Sequence, residues 1–240
     1  MTTTPTALMS GGAMQSAGVQ SGGAELAKVL ASAGGGPFPS IIDTKYAIDS
    51  KGSSGDSLTV TWSSAPTAGQ LLILIALSSS KEGSNTMITP SGYTELAGSD
   101  NLYCGVYYKI ATGTEGTTAG IANFQTEGCL IGLRLSGVYS TPIDTSGHSS
   151  SATSSPSITT THANELLLAI ACCSTNTLTT NPNSSPPSGW TMVSTQGDHT
   201  GGGAVWIAVA SKQQATAGAS GAAAWGAATG SDFMIGLRSV

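Results

Sequence analysis

The sequence predicts an all-β protein: an antiparallel β-sandwich built from two internal repeats and preceded by a Gly/Ala/Ser-rich N-terminal arm with one short helix. Three observations carry this expectation. From Pro37 onward, short apolar or alternating runs of five to nine residues recur between Gly, Ser, Pro or Asn clusters, and none has a helical period. Ser, Thr and Gly supply about two-fifths of the 240 residues, a composition of turn-rich β proteins rather than helical ones. Several segments of the first half also return, in the same order, in the second.

The arm comes first. Residues 1–36 are dominated by Gly, Ala, Ser, Thr and Met, with a helical candidate from Ala24 to Ala33 between Gly22-Gly23 and Gly34-Gly35-Gly36. Ala24, Leu26, Ala27, Val29 and Leu30 form an apolar stripe on that helix. Ten residues between glycine runs do not hold a helix alone in water, so the arm either docks on a partner, which is the expectation, or stays a loose tail.

The sandwich is expected over residues 37–240. Strands are predicted at Ser40 to Ile48, Ser57 to Trp62, Leu71 to Ser78, Tyr93 to Ala97, Leu102 to Ile110, Thr118 to Phe124 and Cys129 to Ser136. A second set follows at Ser157 to Thr161, Glu165 to Cys172, Trp190 to Ser194, Ala204 to Ala210, Ala222 to Ala227 and Phe233 to Ser239. The continuous apolar runs at Leu71 to Leu77 and Leu166 to Ala171 read as central strands covered on both faces, by a sheet neighbour on one and by the arm or a second subunit on the other.

The repeat is legible residue by residue. Ala-Gly-Gln-Leu-Leu-Ile-Leu-Ile-Ala at 68–76 matches Ala-Asn-Glu-Leu-Leu-Leu-Ala-Ile-Ala at 163–171, and Pro-Ser-Gly-Tyr-Thr at 90–94 matches Pro-Ser-Gly-Trp-Thr at 187–191. Residues 106–111, 118–120 and 131–134 match 205–210, 216–218 and 235–238. Repeat one is placed at about 57–140 and repeat two at about 155–240. Each copy alone is a small sheet with an open apolar face, so the expected solution is one domain in which the two faces bury each other. The alternative is two small tandem sandwiches linked through 146–157.

Composition excludes several functions. With 8 Lys+Arg against 13 Asp+Glu, a net charge of −5 and no basic run, no nucleic-acid partner is expected. The longest apolar run, Leu166 to Cys173, falls well short of the roughly 20 residues of a bilayer span, so no membrane span is expected. The N-terminus lacks the basic and apolar regions of a secretory signal, which implies synthesis in the cytoplasm.

Candidate chemistry is sparse, and no cofactor, metal site or catalytic residue is expected. The four cysteines, Cys104, Cys129, Cys172 and Cys173, have no metal-binding spacing and read as buried free thiols. His148, His162 and His199 fall in polar, loop-like stretches. Asp198-His199 reads as an exposed pair in a Gly-rich loop at 197–203, and no Gly-x-Ser-x-Gly elbow accompanies it. Asp49, Asp56, Asp100, Asp144 and Asp232 read as solvated turn residues. A glycan would need exposed aromatics beside polar side chains, for which Tyr103, Tyr139 and the loop 176–188 are the candidates.

The combination of Ala-Gly-Gln-Leu-Leu (68–72), Pro-Ser-Gly-Tyr-Thr (90–94), Tyr-Tyr-Lys-Ile-Ala (107–111), Ile-Gly-Leu-Arg-Leu-Ser-Gly-Val (131–138), Pro-Ile-Asp (142–144) and Pro-Ser-Gly-Trp-Thr (187–191) resembles a β-sandwich module of tailed-bacteriophage and prophage virion proteins. The resemblance covers about residues 57–240 and leaves the arm unmatched. It implies a jelly-roll-like fold and a place on the particle surface, as a head decoration, fibre or tail-tip component, and it brings no catalytic residues. The expected function is thus a non-enzymatic virion structural protein, made in the host cytoplasm and docked on other virion proteins through its arm. It would be present in many copies or as a homo-oligomer. The alternative is a receptor-binding adhesin that recognises a host-surface glycan through Tyr103 or Tyr139.

Overall fold

The computed structural model describes residues 36–49, 56–79, 87–99, 104–124, 127–150, 153–174, 181, 183–200, 203–226 and 230–240. Within them the chain is all-β, with antiparallel sheets and no helix. The arm helix proposed at Ala24 to Ala33 lies outside the described residues.

Two five-stranded sheets form the body. The first uses β1 (Ser40–Asp49), β3 (Leu71–Ser78), β4 (Thr94–Glu95), β5 (Cys104–Ile110) and β7 (Gly128–Ser136), in the order β1-β7-β3-β5-β4. The second uses β8 (Val138–Ser150), β11 (Glu165–Ser174), β12 (Thr191–Thr200), β13 (Gly203–Gln214) and β16 (Ser231–Ser239), in the order β8-β16-β11-β13-β12. Three short pairs remain: β2 (Asp56–Thr61) with β6 (Thr118–Phe124), β9 (Ser154–Ser155) with β15 (Ala223–Ala224), and β10 (Thr159–Thr160) with β14 (Gly218–Ala219).

The period-two alternation of strand side chains explains how the layers close. Leu71, Ile73, Ile75 and Leu77 of β3 face one way, into a core shared with Leu166, Leu168, Ile170 and Cys172 of β11. Ile131, Leu133 and Leu135 of β7, Val205, Ile207 and Val209 of β13, and Phe233, Ile235 and Leu237 of β16 complete that core. Leu72, Leu74 and Ala76 face the other way and are covered by Leu58, Val60, Trp62, Ile121 and Phe124 of the β2–β6 region. On the outer side of the second sheet, Leu167, Ala169 and Ala171 meet Ile158, Trp190, Ala223 and Trp225. The second face of each central strand is therefore covered by ribbons of the same chain, where the arm or another subunit was expected. Each large apolar side chain so enclosed contributes about 1.5–3 kcal/mol relative to exposure.

The corners leading into the central strands need left-handed backbone. Gly69 (φ 84°) precedes β3 and Asn164 (φ 57°) precedes β11, the two residue types that enter this region at least cost. In the Pro-Ser-Gly turns, Tyr93 N–H donates to Pro90 O and Trp190 N–H to Pro187 O, both at 3.0 Å. Lys109 Nζ then sits 5.3 Å from the centre of the Tyr93 ring, and Lys212 Nζ sits 5.8 Å from that of Trp190.

Two of the long strands differ from the sequence reading, and the short β9 and β14 fall where no strand was predicted. β8 occupies 138–150, a stretch read in part as a linker, because an edge strand is held by backbone pairing with β16 and carries polar side chains to solvent. β12 continues through Asp198 and His199, which were expected in a loop, and pairs with β13. Gly197 permits this, since a Cβ there would lie 1.9 Å from Val205 O and 2.5 Å from the Trp206 ring.

Candidate functional site

Of the site residues nominated from sequence, Tyr139 alone lies among the described residues. The arm residues Ala24, Leu26, Ala27, Val29 and Leu30, and also Tyr103, lie outside the described residues. Tyr139 is 40% exposed near the start of β8, but the Arg238 guanidinium covers one face of its ring at 4.3 Å. The four cysteines are buried and not joined in disulfides. Burial pushes the Cys129 thiol well above its ordinary range, so this is not a reactive thiolate.

The site that does assemble was not anticipated. Asp144 and Asp232, expected as solvated turn residues, lie inside strands β8 and β16, and Asp232 is fully buried. Asp144 joins His162 and Glu165, and one donor atom from each of the three falls within 4.8 Å of the others. β8 supplies Asp144, the corner before β11 supplies His162, and the first residue of β11 supplies Glu165. His162 Nδ1 stands 2.8 Å from Asp144 Oδ1 and 3.8 Å from Glu165 Oε1. The side chains are 37% exposed for His162, 5% for Asp144 and 0% for Glu165. The imidazole is thus the mouth and the two carboxyl groups are the floor.

Local backbone fixes this arrangement. Thr161 N–H donates to Asp144 Oδ2 at 2.6 Å and Thr161 Oγ1–H to Oδ1 at 2.5 Å. His162 N–H donates to Glu165 Oε1 at 3.3 Å. Gly236 of β16 leaves the space that Glu165 fills, since a Cβ there would sit 2.5 Å from Oε2. That Oε2 is buried and has no hydrogen-bond donor.

The two carboxyl groups are driven apart in acidity. Burial is the main force raising Glu165, and the adjoining Asp144 adds to it by hydrogen bonding and by charge, holding Glu165 at about 8. Burial also acts to raise Asp144, but the Thr161 hydroxyl and N–H, with Glu165 and His162, overcome it and keep Asp144 below the usual carboxylate range.

The first sheet carries a related arrangement with a different solution. Ser63 N–H and Oγ–H donate to the Asp43 carboxylate at 2.8 and 3.3 Å, as Thr161 does to Asp144. There the charge is met by Lys45 at 3.1 Å and Arg134 at 3.7 Å, and Arg134 also donates to Ser64 O at 2.6 Å. In the second sheet, Arg238 instead donates to Thr141 Oγ1 at 2.9 Å. Among the described residues, no Lys or Arg forms an ion pair with Asp144 or Glu165. A signal existed in the sequence, since Ile-Asp-Thr occurs at 42–44 and again at 143–145, within the spacing of the other matched segments.

Chemically, an imidazole beside two carboxyl groups is a donor set for a cation. Three surface depressions among the described residues are lined by other side chains. One is lined by Trp62, Tyr93 and Lys109, another by Gly189 and Lys212, and the third by Thr94, Tyr108 and Thr141. Among the described residues, no helix is long and apolar enough to cross a membrane. In the comparisons with known proteins, no family model, curated protein or solved structure matches the chain.

Proposed function

We propose that the chain is a non-enzymatic structural component of a bacteriophage virion, a surface decoration or fibre-like subunit attached through residues 1–36. Its body is then a jelly-roll-like sandwich made from two copies of one ancestral unit. The observation that carries the reading is the closure of both five-stranded sheets over one shared core, with in-chain ribbons on their outer faces. Such a body keeps its apolar surface inside and leaves attachment to another segment. Support for duplication comes from the two strand orders, β1-β7-β3-β5-β4 and β8-β16-β11-β13-β12, and from the paired Asp43–Ser63 and Asp144–Thr161 contacts. The virion role itself rests on the motif resemblance.

The test is deletion of residues 1–36, followed by particle assembly with the truncated chain. The expected result is a folded protein, with an unchanged β circular dichroism spectrum, that is absent from purified particles. Truncated protein on the particles at the full-length level would overturn the proposal. The adhesin reading has one supporting observation: exposed Tyr139 adjoins the depression formed by Tyr108, Ser140 and Thr141. It requires glycan-array binding that Tyr139→Ala abolishes, and no bound glycan would exclude it.

A further inference from the structure

We propose that Asp144, His162 and Glu165 form a binding site for a divalent first-row transition-metal ion, which ties the edge strand β8 to the start of the central strand β11. This goes beyond the virion reading and does not depend on it.

The geometry is the first argument. Ligands at the usual 2.0–2.2 Å from a tetrahedral ion are separated by roughly 3.3 Å. The separations of 2.8 and 3.8 Å differ from that by about 0.5 Å, and the third, within 4.8 Å, by at most about 1.5 Å. Imidazole nitrogen with two carboxylate oxygens is a donor set for zinc or manganese, while the nitrogen disfavours calcium and magnesium.

The second argument is an unmet requirement. Glu165 is fully buried, its carboxyl group lies against Asp144 and His162, and its Oε2 has no donor. A buried acceptor left unpaired is costly. The Asp43 site holds Lys45 and Arg134 in ion pairs, whereas Arg238 donates to Thr141, lies over Tyr139 and reaches Glu165 only through its longer-range charge. Access is provided through the partly exposed His162 ring, and Thr161 already orients Asp144 from the second layer.

The test uses the full chain, stripped with a chelator and then titrated with Zn²⁺ and, separately, Mn²⁺ by calorimetry. One ion per chain is expected, with a melting temperature that climbs with the logarithm of free ion concentration. Asp144→Asn and His162→Ala should each weaken binding by about 100-fold or abolish it, extending the 10–100-fold losses known for groups that only support ligands. Both variants must keep the wild-type circular dichroism spectrum, and His162→Ala, at the exposed mouth, is the one expected to fold without difficulty. Asp56→Asn, at the exposed start of β2, should bind as wild type does. The proposal is overturned by no saturable binding to the wild type, by binding that survives His162→Ala, or by competition from equimolar Ca²⁺ or Mg²⁺.

Discussion

Ile170→Ala examines the shared core directly. Ile170 of β11 is fully buried, and its register partners are Val209 on β13 and Phe233 on β16, all in the cluster that also contains Ile73, Ile75 and Ile131 of the other sheet. Truncation removes apolar contacts on the interior face and leaves a void that close packing from two sheets cannot collapse to fill. The expected loss is about 3–4 kcal/mol, near the middle of the range for such deletions. For a chain of 240 residues that corresponds to a fall in Tm of roughly 10 °C, at 2–4 °C per kcal/mol. Differential scanning calorimetry should show one transition before and after the substitution. Hydrogen exchange read by mass spectrometry should show β3 and β7, in the first sheet, losing the same protection as β11 and β13. Two calorimetric transitions, or unchanged protection in β3 and β7, would refute the argument that the sheets form one cooperative unit.

Two further outcomes follow from local contacts. Burial tends to raise the Glu115 carboxyl, but the Thr112 N–H at 3.0 Å, the Lys109 ammonium at 3.0 Å and the Gly113 N–H at 2.9 Å outweigh it and hold the group at about 2. Because the folded value lies below the unfolded one of about 4.3, the contribution is complete above pH 5 and disappears as pH falls through 2. Glu115→Gln should therefore cost about 1–2 kcal/mol in urea unfolding at pH 7, after allowance for solvent screening, and the difference from wild type should narrow steadily on acidification. A penalty that stays constant from pH 7 to pH 2 would contradict this. Gly132→Val is the steric counterpart: a Cβ at this position of β7 would stand 2.7 Å from the Trp62 ring and 2.9 Å from a Val60 methyl. Overpacking of this kind costs about 1–3 kcal/mol, and it should displace Trp62 enough to redshift its fluorescence. Wild-type stability and emission would show that the β2 ribbon is not held as described.

The sequence alone determined the strands that carry apolar side chains. β3 and β6 fall where the hydrophobic pattern placed them, at Leu71–Ser78 and Thr118–Phe124, and the Pro-Ser-Gly turns were readable from their φ requirements. These features are local, because alternation, turn chemistry and the left-handed tolerance of Gly are properties of a few adjacent residues. The tertiary structure alone decided what is made by partners distant in sequence. β8 is a strand because β16 pairs with it, the ribbons cover the outer faces because the chain returns there, and Asp144 meets Glu165 across 21 positions of sequence. The repeated Ile-Asp-Thr hinted at the two buried aspartates, yet whether Arg, Lys, His or Glu stands beside each of them depends on how neighbouring strands are threaded. Burial and charge pairing are sums over the whole fold, so no window of sequence contains them.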